Sequence, residues 1–164
     1  MAVIIKVGFS MNENGNEDIG VGGAVFGFFN EIGIIEQLAR TRVERILPGG
    51  MKMPHFGVLN HLVRLDKKES PAELAKAFQV TRPTMTNTVQ RLEAKGYVSV
   101  EPNPTDGRAK LVLITPAGCR ARNAAIEALA PLLAKISTDL GAELFTRPLP
   151  ALQKVRIYMD ENRD

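Results

Sequence analysis

Residues 70–97 read SPAELAKAFQVTRPTMTNTVQRLEAKGY, and they contain two helix starts in close succession. Ser70 is a good N-cap, Pro71 suits the first helical position, and Glu73 stands three residues beyond the cap, as in a capping box. The short helix that follows is expected to bury Leu74, Ala75 and Phe78. A second helix is expected to begin near Thr81, again with a cap residue ahead of a proline, Pro83. It should run to Lys95 and stop at Gly96. Only Gln79 and Val80 lie between the two helices. Two short helices with such a tight connection have the length and layout of a helix-turn-helix.

The composition of the second helix points to a ligand. Met85, Val89 and Leu92 recur at helical spacing and should hold it on a core. Its other positions carry Thr81, Arg82, Thr84, Thr86, Asn87, Thr88 and Gln90, where a generic solvated helix would carry lysines and glutamates. Short hydroxyls and amides reach base edges without long flexible stems, and an asparagine or glutamine can pair with adenine through both ends of its amide. The first-turn amides and Arg82 are expected near phosphate, with Arg91 in support at the far end of the helix. Beyond Gly96, Tyr97–Glu101 and Ala109–Thr115 alternate or are β-branched, and Asn103, Pro104, Asp106 and Gly107 lie between them. They read as a β-hairpin. Arg108 stands at its tip beside Asp106, which is expected to support it. An arginine so presented suits the narrow, negative minor groove.

The rest of the chain is helical in pattern. Phe28, Ile32, Ile35, Ala39, Val43 and Ile46 mark a first helix within 19–47, weakened at its front by glycines and stopped by Pro48-Gly49-Gly50. Pro54 opens another helix, to about Leu65, with Phe56, Leu59, Leu62 and Val63 inward. A long helix follows Pro116 with Ile126, Leu129, Leu132, Leu133, Ile136 and Leu140 along one face, and a last one carries Leu149, Leu152, Val155 and Met159. The expected fold is mainly α with a small β-hairpin wing (α+β). Its parts are a disordered extension at 1–18, an N-terminal dimerisation helix and linker at 19–53, a winged helix-turn-helix domain at 54–115, and C-terminal dimerisation helices at 116–164. The aliphatic faces of the terminal helices exceed what one winged domain can bury, which points to a homodimer.

The 164-residue chain has a net charge of +3. Its positive excess is greatest between Pro54 and Thr115, where nine Lys/Arg stand against six Asp/Glu, as docking to an acidic polymer requires. The one cysteine, Cys119, cannot form an internal bridge, and the first ten residues read poorly as a signal peptide. A cytoplasmic protein without a membrane segment is expected. Arg120 and Arg122 beside Cys119 could activate its thiol, although a lone cysteine usually serves as a small apolar residue. Gly20-Val21-Gly22-Gly23-Ala24-Val25 invites a dinucleotide-binding reading, but Val25 stands at the required sixth glycine and no βαβ unit follows. His55 and His61 share no face, so metal binding is not expected. No catalytic constellation and no cofactor motif is present.

Two segments give a specific resemblance. Thr81-Arg82-Pro83-Thr84-Met85-Thr86, with Arg91-Leu92-Glu93-Ala94-Lys95-Gly96-Tyr97-Val98, resembles the recognition helix and its exit in the MarR family. Asp106-Gly107-Arg108-Ala109-Lys110-Leu111-Val112-Leu113-Ile114-Thr115-Pro116-Ala117-Gly118 resembles that family's wing and the start of its next helix. With the flanking helices the resemblance spans roughly residues 22–160. It implies a triangular homodimer whose first and last helices interlock, and two winged domains on a pseudo-palindromic site in double-stranded DNA. It also implies a small-molecule effector bound between the dimer helices and the winged domain. No effector-pocket residues can be assigned from sequence; Ile34, His61 and Arg64 are the nearest candidates. Two departures reduce the expected phosphate contacts. Val100-Glu101 stands where the family commonly has a basic residue, and Gly107 stands at a wing tip that is often doubly basic. The family's peroxide sensors carry a cysteine near the N-terminal helix, and none is found there. The function expected is a DNA-binding transcription regulator, a repressor, with Thr81, Arg82, Thr84, Thr86, Asn87, Thr88, Arg91 and Arg108 on DNA. The alternative is a winged-helix module for protein–protein interaction.

Overall fold

The computed structural model describes residues 10–11, 17–18 and 21–162. The chain divides into two units, Met1–Arg45 and Ile46–Asp164.

In the first unit, β1 (Ser10–Met11) and β2 (Glu17–Asp18) pair antiparallel. The remainder of the expected disordered extension lies outside the described residues. Helix α1 spans Val21–Ile46, so the front glycines do not prevent it from forming. Phe28 and Phe29 meet edge to face at 5.5 Å, and Arg40 Nε donates to Glu36 one turn earlier at 2.7 Å. No residue of α1 is buried; Val25, Phe26, Ile32, Ile35 and Leu38 are all exposed.

The second unit opens with a 3-10 turn at Pro48–Gly50, in which Gly49 and Gly50 take φ of +64° and +66°. Helix α2 (Met53–Leu65) follows. His55 Nδ1 accepts from the Lys52 amide at 3.1 Å and so caps the helix start. Val58, Leu59 and Leu62 are buried while Phe56 and Val63 are only half-buried, so the inward stripe is narrower than expected. Then come α3 (Pro71–Ala77), α4 (Arg82–Ala94), β3 (Val98–Asn103), β4 (Asp106–Ile114), α5 (Pro116–Leu140), the single-turn α6 (Glu143–Thr146) and α7 (Leu149–Glu161). The core is built from Val58, Leu59 and Leu62 of α2, Leu74 of α3, Leu92 of α4 and Val112 of β4, all nearly inaccessible. Each contributes roughly 1.5–3 kcal/mol by leaving water. Ala125 and Leu129 of α5 close it on one side, and Arg122 ties α5 to α2 through Asn60 Oδ1 at 2.8 and 3.0 Å.

The hairpin is longer than its sequence pattern indicates. β3 and β4 pair antiparallel from Val98↔Ile114 to Asn103↔Asp106, with a register shift between Pro102 and Asn103. The connection therefore shrinks to Pro104-Thr105. Asn103 Oδ1 accepts from both the Thr105 amide (3.0 Å) and its hydroxyl (2.8 Å), closing an Asx turn. Glu69 adds an isolated bridge on Val112 of β4. The expected inward face of α5 is also modified: Leu129 is buried, but Ile126, Leu133 and Leu140 are exposed. Among the described residues no helix is long and apolar enough to cross a membrane.

Candidate nucleic-acid interface

Helices α3 and α4 are each fixed by the residues that predict them. The Ser70 hydroxyl accepts from the Glu73 amide at 3.2 Å, and the Glu73 carboxylate accepts from the Ser70 amide at 2.7 Å. That backbone bond, helped by the Ser70 hydroxyl, holds the Glu73 carboxyl below the usual glutamate range. The turn to α4 depends on Gln79, a non-glycine residue at φ +51°, a left-handed conformation that costs roughly 1–2 kcal/mol. The turn is held by Gln79 and Val80 amides on the Lys76 and Ala75 carbonyls at 3.2 and 3.0 Å. Thr81 caps α4 by accepting from the Thr84 amide, and the two threonine hydroxyls meet at 2.8 Å.

At its far end α4 finishes in a Schellman arrangement. The Tyr97 amide returns to the Leu92 carbonyl at 3.0 Å, the Gly96 amide to the Glu93 carbonyl at 2.8 Å, and Gly96 takes φ +68°. Lys95 Nζ reaches the Gly49 carbonyl at 2.8 Å, tying the helix end to the 3-10 turn. Thr115 then locks the next junction. Its hydroxyl donates to the Gly96 carbonyl at 2.7 Å and accepts from the Gly118 amide at 3.0 Å, while its amide donates to the Tyr97 carbonyl at 3.1 Å. Helix α4, the root of the hairpin and the start of α5 are thus joined at one knot.

One face of α4 is committed to the core by Met85, Thr88, Val89 and Leu92. Thr88 corrects the sequence reading, which placed it towards DNA. It is 9% exposed, and its hydroxyl donates back to the Thr84 carbonyl at 3.0 Å. A threonine can satisfy its polar atom on its own helix and serve as an apolar residue. Thr81, Arg82, Thr84, Thr86, Asn87 and Arg91 are exposed as expected. Gln90 joins them; three residues after Asn87, it shares that residue's side of the helix, opposite Val89 and Leu92. That spacing was the available signal, yet Gln90 was missing from the expected contact set. Asn87 is not free on this face, because its Oδ1 accepts from Arg91 Nε at 3.1 Å.

At the wing, Asp106 stands across the strand pair from Asn103 and is exposed. Arg108 lies on β4, and its side chain, with the expected Asp106–Arg108 support, lies outside the described residues. Glu101 is exposed on β3 opposite Leu111. Of the effector candidates, His61 is already engaged. Its Nε2 lies 2.7 Å from Glu69 Oε2, and its ring stands edge-on to Phe78 at 5.3 Å. Cys119 is a free thiol, half-buried.

Residues 49–109, the segment that carries this geometry, match the family model for the MarR family. Solved structures extend the likeness over the chain. The wild-type MarR protein of E. coli in its apo form is 27% identical, covering 85% of this chain and 98% of its own, at a TM-score of 0.68. A cysteine-to-serine variant of the same protein, complexed with operator DNA, is 25% identical over 83% of this chain and 98% of its own, again at 0.68. The MarR-family regulator Sco5413 of Streptomyces coelicolor shares the fold at 22% identity and a TM-score of 0.71, over 88% of this chain and 100% of its own. From the family match over residues 49–109, which hold α4 and most of the wing, and from these likenesses along its length, the chain is similar to the MarR family of winged-helix transcriptional regulators.

Proposed function

We propose that this protein is a homodimeric, cytoplasmic repressor that reads a pseudo-palindromic operator and is released from it by a small-molecule effector. The observation that carries the reading is the division of α4. Four buried residues hold it on the core, and the opposite side presents Thr86, Asn87, Gln90 and Arg91 to solvent. A helix so anchored, with short hydrogen-bonding side chains outward, suits the major groove. Arg82, at the first position of α4, serves phosphate, and Arg108 on β4 serves the adjacent minor groove. The operator-bound relative supports DNA as the ligand. The exposed leucines and aromatics of α1, α5 and α7 support a second copy as the dimer partner.

The test is fluorescence anisotropy of the purified protein against duplexes from around its own gene, titrated in salt, with a scrambled duplex as control. The expected result is salt-dependent binding of one dimer per site, roughly a hundredfold or more tighter than to the scramble. Absence of binding at low salt would overturn DNA reading and favour a winged-helix module for protein partners.

A further inference from the structure

Arginine carries only hydrogen-bond donors. The Asn87 atom that faces Arg91 Nε at 3.1 Å must therefore be the carbonyl oxygen, which fixes the orientation of an amide otherwise open to a flip. Two consequences follow from that single bond. Asn87 keeps its amino group, a pure donor, for a ligand. Arg91, with Nε used on its own helix, keeps its terminal amino groups, again pure donors. Both residues are exposed and stand one turn apart, so they share a side of α4. No carboxylate occurs from Thr81 to Gln90 to compete for them.

The base edges of the major groove differ in what they offer such a unit. Adenine presents one acceptor and one donor, and cytosine presents a donor. Guanine alone presents two adjacent acceptors, N7 and O6, and arginine meets them with two parallel N–H groups. An asparagine pairs with adenine through both its oxygen and its nitrogen, and here Arg91 occupies one of the two lone pairs of that oxygen, which weakens the adenine pairing. Resting on the DNA-reading function above, we propose that Asn87 and Arg91 act as one donor-rich unit that selects guanine in each half-site.

The experiment is selection from a pool of randomised duplexes by the full-length protein, with sequencing of the bound fraction, for the wild type, Asn87→Ala, Arg91→Ala and the double variant. Because both side chains are exposed, circular dichroism should show all four proteins equally helical. The wild type is expected to favour guanine at one base pair of each half-site by roughly tenfold or more. Each single variant should flatten the preference at that same base pair, and the double variant should flatten it no further. The proposal is overturned if the two substitutions erase preferences at different base pairs, or if the shared position selects another base. A wild type that enriches a motif unaffected by either substitution removes the proposal alone, whereas a wild type that enriches no motif removes the DNA-reading function with it.

Discussion

A methyl group at Gly118 would lie 2.0 Å from the Tyr97 carbonyl oxygen and 2.9 Å from Ile114 Cγ1. The obstructing atom is backbone, already held by the Thr115 amide, so neither side can give way cheaply. Gly118→Ala is therefore expected to cost at least about 1–3 kcal/mol, the usual range for overpacking a fixed site, measured by urea unfolding. Gly118 was legible as the end of the segment that resembles the family's wing and next helix start, but its reason was not, because Tyr97 lies far away along the chain. Glu73 makes the opposite case, since its role follows from a spacing of three residues. Its carboxyl is held below the ordinary glutamate value in the folded protein, so the charged form stabilises α3 at neutral pH and that contribution is lost as pH falls through the lowered value. Glu73→Gln should accordingly be less stable than the wild type at neutral pH, and the gap should close in acid. A gap independent of pH in thermal melts would show that the carboxylate bond does not matter. Thr88 shows the limit of composition as a guide: a run of threonines looks uniformly polar, and only packing reveals which one is turned inward.

Among the elements, the bounds of α3 and α4 were readable from their caps, whereas the bridge at Glu69, the full hairpin and α6 were not. Ser70, Thr81 and Gly96 mark the ends of α3 and α4 because each cap satisfies backbone groups that the helix itself leaves open. The isolated strand position at Glu69 has no periodicity to betray it, and it exists only because Val112 offers a matching amide and carbonyl at 2.8 and 3.4 Å. The hairpin was read too short for a related reason. Asn103, Asp106 and Gly107 are turn formers by composition, yet the Asx turn at Asn103 lets Asp106 pair across the strands with Asn103. The single turn α6 follows Gly141 at φ +82° and carries no apolar pattern long enough to see. For α4 as an element, Arg82 is expected to act by charge and not by sequence. Arg82→Ala should weaken binding to operator and scrambled duplex alike and lower the salt slope by about one. A loss confined to the operator would place Arg82 on a base edge instead.

For the molecule as a whole, what remains exposed is as informative as the core. Helix α7 has no buried residue, and α5 leaves Leu133 and Leu140, each 59% exposed, beyond its buried half. Isolated leucines on a surface need no explanation, but rows of them along several helices indicate an interface. Leu133→Glu combined with Leu140→Glu should shift the protein from dimer to monomer in sedimentation equilibrium, while the winged domain keeps its helicity. An unchanged dimer would locate the interface elsewhere, with α1 the next surface to test. The knot at Thr115 and Gly118 then has a mechanical consequence. Helix α5 has 25 residues, about 37 Å at the usual rise, and it is clamped at one end where a side chain could not be inserted. A clamped rod is a lever with its fulcrum at the clamp. A tilt of about 5° of such a rod displaces its far end by about 3 Å at that length, so a partner that shifts the distal half of α5 is expected to act back on α4 and the hairpin through that junction.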